Sequence, residues 1–167
     1  MSSISIDHVF LDLHFDKAEE AISFIGDTLI SHHLAKPSYK EAMLNMFAKF
    51  GGIIVLDDGI AMPHARPEEG ALMDSIIFVQ LKDPIDFHNE DFSPVSHILG
   101  LCSTGSSQHI KMIQLIGLLI ENGFAQRKFK TAEEVNDFVN FVKQQEELQW
   151  ATVNAHHKTK IAKINGR

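Results

Sequence analysis

The two segments that most constrain the fold are SIIFVQL at residues 75–81 and VSHILGLC at residues 95–102. Both are short, rich in β-branched residues and almost continuously apolar. That pattern is typical of central strands covered on both faces, not of strands with one face in water. Such a sheet needs helices on each side. The sequence therefore predicts an α/β (α+β) fold in which a small mixed sheet is flanked by helices.

Four helices are expected around these strands. Three of them begin at a capping box, in which a capping side chain is followed three residues later by a glutamate: Asp16 with Glu19, Ser38 with Glu41, and Thr131 with Glu134. A fourth, strongly apolar helix is expected over residues 107–121, ended by Asn122 and Gly123. Two further strands are expected over residues 4–11 and 53–56.

Composition excludes several classes of protein. The 167-residue chain carries a net charge of -7, which is unfavourable for binding nucleic-acid phosphates. No apolar run approaches the roughly 18–20 residues of a membrane span, and the N-terminus lacks the features of a signal peptide. A single cysteine, Cys102, excludes an internal disulfide framework. We therefore expect a cytoplasmic protein with no direct membrane insertion.

The last part of the chain differs in charge from the rest. From Trp150 onward the charged residues are all basic: Lys158, Lys160, Lys163 and Arg167. We therefore expect a main domain over residues 1–147 and a basic C-terminal tail or helical extension over residues 148–167.

The stretch GIAMPHARPEEG at residues 59–70 contains the most informative histidine. Pro63 fixes its own φ angle and favours an extended Met62, so the backbone approaching His64 is stiff. An imidazole can act as a nucleophile and accept a phosphoryl group on one ring nitrogen while a hydrogen bond holds the other. Arg66 could then compensate the negative charge. The alternative from local chemistry alone is a polar residue in a tight turn.

The same stretch resembles the active-site signature of the type 2 EIIA proteins of the bacterial phosphoenolpyruvate-dependent sugar phosphotransferase system (PTS), the mannitol/fructose class. In that family the motif reads close to G-I-A-[IVM]-P-H. The longer blocks AMLNMFAKFGGIIVLDDGIAMPHARPEEG and LKDPIDFHNEDFSPV resemble the ascorbate branch. The likeness spans residues 5–145 and implies the EIIA mannitol-type fold.

The resemblance implies a set of roles and partners. His64 would be the phosphoryl acceptor, forming tele-phosphohistidine, and His109 would face it and support the phosphoryl group or the ring. The protein would be a phosphotransferase without cofactor or metal. It would receive the group from HPr and pass it to a cysteine of EIIB, which serves the membrane protein EIIC in sugar uptake. The alternative is a regulatory EIIA-like protein whose phosphorylation state controls a binding partner.

One departure from the family pattern concerns positive charge. The mannitol-type proteins usually carry an arginine in the helix before the motif, and this chain has Met46 there. Arg66 is therefore the candidate phosphate-binding residue. Among the other candidates, the remaining histidines lack the spacing of a zinc site, and Cys102 is expected to be a small buried side chain. Residues 105–107 are expected to cap a helix, and Ile60, Met62 and Ala65 are expected to form an apolar docking rim.

Overall fold

A computed structural model of the protein describes residues 4–165. The strands are β1 (His8–Leu13), β2 (Val55–Asp57), β3 (Ile60–Ala61), β4 (Ser75–Ile85) and β5 (Val95–Cys102). The α-helices are α1 (Ala18–Ser31), α2 (Pro37–Phe50), α3 (Ser106–Glu121) and α4 (Ala132–Asn165). Short 3-10 helices lie at Gly51–Ile54, Pro67–Glu69 and Phe124–Gln126.

The five strands form one mixed sheet in the order β1-β4-β5-β3-β2. β4 and β5 occupy the interior and pair antiparallel, with Ser75 opposite Cys102. β1 runs parallel to β4, and β3 runs parallel to β5. The two long apolar segments are therefore interior strands, as their sequences predict.

Alternating residues of β4 divide the interior into two cores. Ile77 and Val79 pack with α1 and α2 on one face of the sheet. Ile76 and Phe78 pack with α3 and α4 on the other face. Helices thus cover both faces, and the predicted fold class is confirmed.

Two of the three predicted capping boxes are wrong. α1 begins at Ala18 and α2 begins at Pro37, without a side-chain cap in either case. Pro37 is already preorganised for the first helical position. Ser38 therefore lies inside α2, where its hydroxyl donates to the carbonyl of Glu69. Asp16 instead contacts the ring of His14.

The third capping box is correct at its N-cap. The hydroxyl of Thr131 accepts the backbone N–H of Glu134 at 3.1 Å. The glutamate carboxylate reaches one residue further back than expected, to the N–H of Lys130 at 2.8 Å. The start of α4 therefore follows from the sequence.

Two strand boundaries differ from the prediction. β1 begins at His8, while Ile4 and Ile6 are buried in the core beside α3 and α4. The segment expected as a strand from residue 53 begins instead as a helical turn, and its strand starts at Val55. This turn requires glycine at residue 52, because a Cβ there would lie 2.4 Å from the carbonyl oxygen of His88.

The last helix is much longer than the sheet requires. α4 continues without a break for 34 residues. Val135, Val139 and Val142 anchor its first part in the core, whereas residues 147–164 are exposed. Within residues 4–165, no helix is long and apolar enough to span a bilayer.

Candidate functional site

The backbone around His64 is held as a continuation of β3. β3 pairs in parallel with β5, and the pairing continues two residues beyond β3, where the N–H of Leu101 donates to the carbonyl of Pro63 at 3.0 Å. The N–H of Met62 donates to Ile54 at 2.8 Å on the other side. These contacts fix the chain immediately before His64, which agrees with the stiff approach predicted from Pro63.

Tyr39 holds the chain immediately after His64. Its buried hydroxyl donates to the carbonyl of Leu101 at 2.6 Å and accepts the N–H of Ala65 at 3.1 Å. Burial raises the pKa of Tyr39, so the hydroxyl stays protonated. Sequence reasoning missed this residue. Its only signal is that the chain's one tyrosine lies on the apolar face of a predicted helix.

The ring of His64 is oriented by its own backbone. Its Nδ1 lies 3.0 Å from the carbonyl oxygen of Met62. Because a carbonyl only accepts, Nδ1 must carry the proton in this contact. The lone pair of the neutral ring then lies on Nε2, which is the nucleophilic atom.

His109, in the first turn of α3, lies beside that ring. The ring centroids of His64 and His109 are 5.3 Å apart, and the planes are inclined by 40°. Nδ1 of His109 lies 3.4 Å from the hydroxyl of buried Ser103. Burial and the neighbouring His64 lower the pKa of His109, which favours a neutral ring. The structure thus brings together the two histidines that the family resemblance pairs.

A cleft of about 670 Å³ contains both histidines. Its wall includes Thr104, Gly105 and Ser106 at the start of α3, and no side chain caps this helix. Gly105 takes the N-cap position, so the expectation that residues 105–107 cap this helix is correct for Gly105, although no side chain supplies the cap. Asp74 holds the entry to the helix instead, accepting the N–H of Thr104 at 2.8 Å. The first N–H groups of α3 have no intrahelical acceptors and carry the positive end of the helix dipole.

Arg66 and Met46 line the same cleft. Arg66 is exposed, and the ion pairs found within residues 4–165 do not include it. Met46 is the residue that the sequence resemblance matches to the arginine of the mannitol-type proteins. Residues 46 and 66 therefore line the same cleft. A cationic side chain at either position would lie in the cleft that contains His64.

The other sequence candidates have buried side chains. Ile60, Met62 and Ala65 are buried, so the predicted apolar docking rim is wrong at these residues, whose side chains fill the interior. Cys102 is fully buried and its pKa is raised by burial to about 11, as suits a core side chain. Among residues 4–165, no three His, Cys, Asp or Glu side chains form a group able to hold a metal ion.

The fold and the site together match one class of protein. The chain is similar to the mannitol IIA structure from Escherichia coli, with a TM-score of 0.70 at 23% identity, over 82% of this chain and 99% of that one. It is also similar to a structure described as a putative PTS IIA (PtxA) from Streptococcus mutans, with a TM-score of 0.75 at 33% identity, over 82% and 89% of the two chains. These likenesses define the EIIA mannitol-type fold.

Sequence comparison gives the family. Residues 2–145 match the family model described as phosphoenolpyruvate-dependent sugar phosphotransferase system, EIIA 2. The ascorbate-specific PTS system EIIA component of Salmonella choleraesuis (strain SC-B67) is 32% identical over 126 residues, which are 73% of this chain and 82% of that protein. The chain therefore belongs to the type 2 EIIA family of the sugar PTS, as the resemblance of its motif implies.

Proposed function

We propose that the protein is a PTS phosphocarrier that receives a phosphoryl group from phospho-HPr on Nε2 of His64 and passes it to a cysteine of its cognate EIIB. The observation that carries this proposal is the contact between Nδ1 of His64 and the carbonyl of Met62. That contact holds the proton on one nitrogen and leaves the other free to attack phosphorus.

The proposed transfer consists of two displacements at phosphorus. In the first, the N–P bond of phospho-HPr breaks as the bond from Nε2 of His64 to phosphorus forms, and the histidine of HPr recovers its electron pair. In the second, a cysteine thiolate of EIIB attacks the same phosphorus, an S–P bond forms, and neutral His64 is regenerated. No cofactor is needed, because such transfers depend mainly on positioning and on stabilising charge.

Three groups of the cleft are suited to stabilise the phosphoryl oxygens. The uncapped start of α3 offers backbone N–H donors and a favourable dipole. Arg66 supplies a guanidinium at the cleft wall. His109 is close enough to His64 to donate to the phosphoryl group or to hold the ring in place.

The surface next to the cleft suits transient protein partners. Ile110 and Ile113 follow His109 along α3 and are 55% and 40% exposed. An exposed apolar patch beside an open cleft is typical of a protein docking surface. HPr and EIIB would use it in turn, because each must bring its reacting side chain to the same imidazole. Contact with the membrane protein EIIC would be indirect, through EIIB.

The branch of the family follows from its relatives. The ascorbate-specific EIIA of Salmonella choleraesuis is 32% identical, so the proposed acceptor is an ascorbate-type EIIB in the cytoplasm. An EIIA contacts EIIB and not the sugar. Membership of the ascorbate-type branch therefore predicts which EIIB this chain recognises, and not a sugar that it binds.

The test is phosphotransfer with purified components. Phosphoenolpyruvate, Enzyme I and HPr should place acid-labile phosphate on the wild-type protein and none on His64→Ala, and ascorbate-type EIIB should then remove it. His33→Ala is the matched control, because it changes an exposed histidine on another loop. Absence of phosphate on the wild type would overturn the carrier function. Stable phosphate that no EIIB accepts would favour the regulatory alternative.

A further inference from the structure

The exposed part of α4 carries a regular apolar stripe. The core residues Val139 and Val142 recur eleven residues later as Trp150 and Val153, and eleven later again as Ile161 and Ile164. Eleven residues make three turns of an α-helix, so the stripe stays on one face. Trp150, Val153 and Ile164 are 66%, 59% and 65% exposed. The face that anchors α4 in the core thus continues beyond it, and nothing else in residues 4–165 covers it.

The charges of α4 are separated along the helix. Residues 132–147 contain five acidic residues and one lysine, whereas residues 148–165 contain three lysines and no acidic residue. A parallel pair of such helices would place like charges together. An antiparallel pair would place the basic end of each helix beside the acidic part of the other.

One antiparallel register satisfies both patterns. If Trp150 of one copy lies opposite Ile161 of a second copy, two-fold symmetry repeats the same contact at the other end. The same register places Glu146 and Glu147 within one turn of Lys163 of the second copy. Apolar contacts and opposite charges therefore coincide without any change in the helix.

We propose that residues 148–165 form an antiparallel homodimer with the same segment of a second copy of this chain. The occupant is a second copy because residues 146–164, with Glu146 and Glu147 at one end and three lysines toward the other, are complementary to themselves in both charge and apolar spacing. An anionic membrane would match the lysines but would leave Glu146 and Glu147 unpaired or repelled.

The point at which the extension of α4 leaves the body determines how the two clefts are arranged in the dimer. The N–H of Asp7 donates to the carbonyl of Ile76, at the sheet end where Ser75 pairs with Cys102. Ile6 and Val142 pack in the same core, and the carboxylate of Asp7 lies close enough to Lys143 to influence its pKa, so this turn of α4 lies at the same end. The extension therefore leaves the body at the end that carries the cleft, and in the dimer the two cleft-bearing ends face each other.

Sedimentation equilibrium of the full chain tests the proposal. The wild type should dimerise, and Trp150→Ser with Ile161→Ser should weaken the dimer at least about tenfold, since each change removes a large apolar contact. Leu148→Ser is the matched control, because Leu148 is 61% exposed on a different face of the same helix. A wild type that stays monomeric up to several hundred micromolar would overturn the proposal. So would a dimer that survives the double substitution, or stripe-dependent binding of a monomer to anionic phospholipid vesicles.

A cysteine cross-link fixes the direction of the helices. Cys102 is buried, so introduced thiols react alone. A mixture of Trp150→Cys and Ile161→Cys chains should form mostly the mixed disulfide under mild oxidation. Preferential linkage of Trp150→Cys chains to each other would show a parallel pair and overturn the antiparallel register.

Discussion

His64 points its Nδ1 at the carbonyl oxygen of Met62, two residues earlier in the chain, at 3.0 Å. The contact is local, but it fixes which nitrogen can react. Because Nδ1 must donate to that carbonyl, the phosphoryl group should be attached to Nε2. ³¹P and ¹⁵N NMR of the phosphorylated protein should therefore show an Nε2-phosphohistidine. An Nδ1-phosphohistidine would contradict the orientation seen here.

Tyr39 provides a second constraint on the same segment. Tyr39→Phe keeps the ring but removes the hydroxyl that bridges Ala65 and Leu101. Two buried backbone groups would lose a partner, so the free energy of unfolding should fall by about 1–3 kcal/mol. The transfer rate from phospho-HPr should fall as well, because the chain after His64 is released. Urea unfolding and rapid-quench kinetics measure the two effects.

Ser75→Ala is the matched control for Tyr39→Phe. Ser75 is also buried near the end of the sheet, and within the described residues its hydroxyl has no hydrogen-bond partner. Removing it should leave the free energy of unfolding unchanged or slightly higher. If Tyr39→Phe and Ser75→Ala lowered the free energy of unfolding by the same amount, the hydrogen bonds of the Tyr39 hydroxyl would not be the source of its stabilising effect.

The contrast between these residues shows what a sequence can and cannot predict. The strands at residues 75–81 and 95–102 are predictable because their composition is dictated by burial on both faces. His64 can be singled out from the sequence because its motif is local and distinctive, and its role as phosphoryl acceptor stays a prediction. The role of Tyr39 is not, because its partners lie 26 and 62 residues away in sequence.

The predicted capping boxes illustrate the same limit on a smaller scale. Thr131 meets its glutamate as expected, whereas Ser38 does not, although the two sequence patterns are equivalent. The preceding Pro37 starts α2 two residues earlier than the capping box predicts, and a tertiary contact to Glu69 takes the serine hydroxyl. Neighbouring backbone preferences and distant acceptors therefore override a correct local pattern.

The positive charge beside the site can be tested by moving it. Arg66→Gln should slow phosphoryl transfer by roughly ten- to a hundredfold, because a charge-assisted hydrogen bond to phosphate is worth about 1.5–3 kcal/mol. Met46→Arg in that background should restore part of the rate, since Met46 borders the same cleft. The rates are measured with phospho-HPr as donor.

A control separates this local effect from net charge. Lys49→Gln removes a positive charge from an exposed part of the same helix as Met46 and should leave the rate unchanged. If Arg66→Gln transferred as fast as the wild type, Arg66 would not be the phosphate partner.

His109 should act mainly on the transfer step. His109→Ala removes a ring 5.3 Å from His64 and should lower the rate constant of phosphorylation by about ten- to a hundredfold. His109→Gln should recover part of the loss, because an amide can also donate a hydrogen bond. Single-turnover kinetics should show a slower step with little change in HPr affinity. An affinity loss with an unchanged rate constant would indicate a docking role instead.

His97 should make the stability of the protein depend on pH. Its Nε2 donates to the carbonyl of Arg127 and its Nδ1 accepts from Ser96, both at 2.7 Å, and burial lowers its pKa. Below the ordinary histidine pKa of about 6.5, His97 therefore binds a proton more readily in the unfolded state than in the folded state. Above that pH the ring is neutral in both states and does not change the free energy of unfolding. Below it the free energy of unfolding should fall by up to about 1.4 kcal/mol per pH unit.

His97→Gln should remove this part of the pH dependence, whereas His14→Gln, at an exposed histidine, should keep it. Urea unfolding from neutral pH down to about 5 measures the slopes, and equal slopes for wild type and His97→Gln would contradict the assignment to His97.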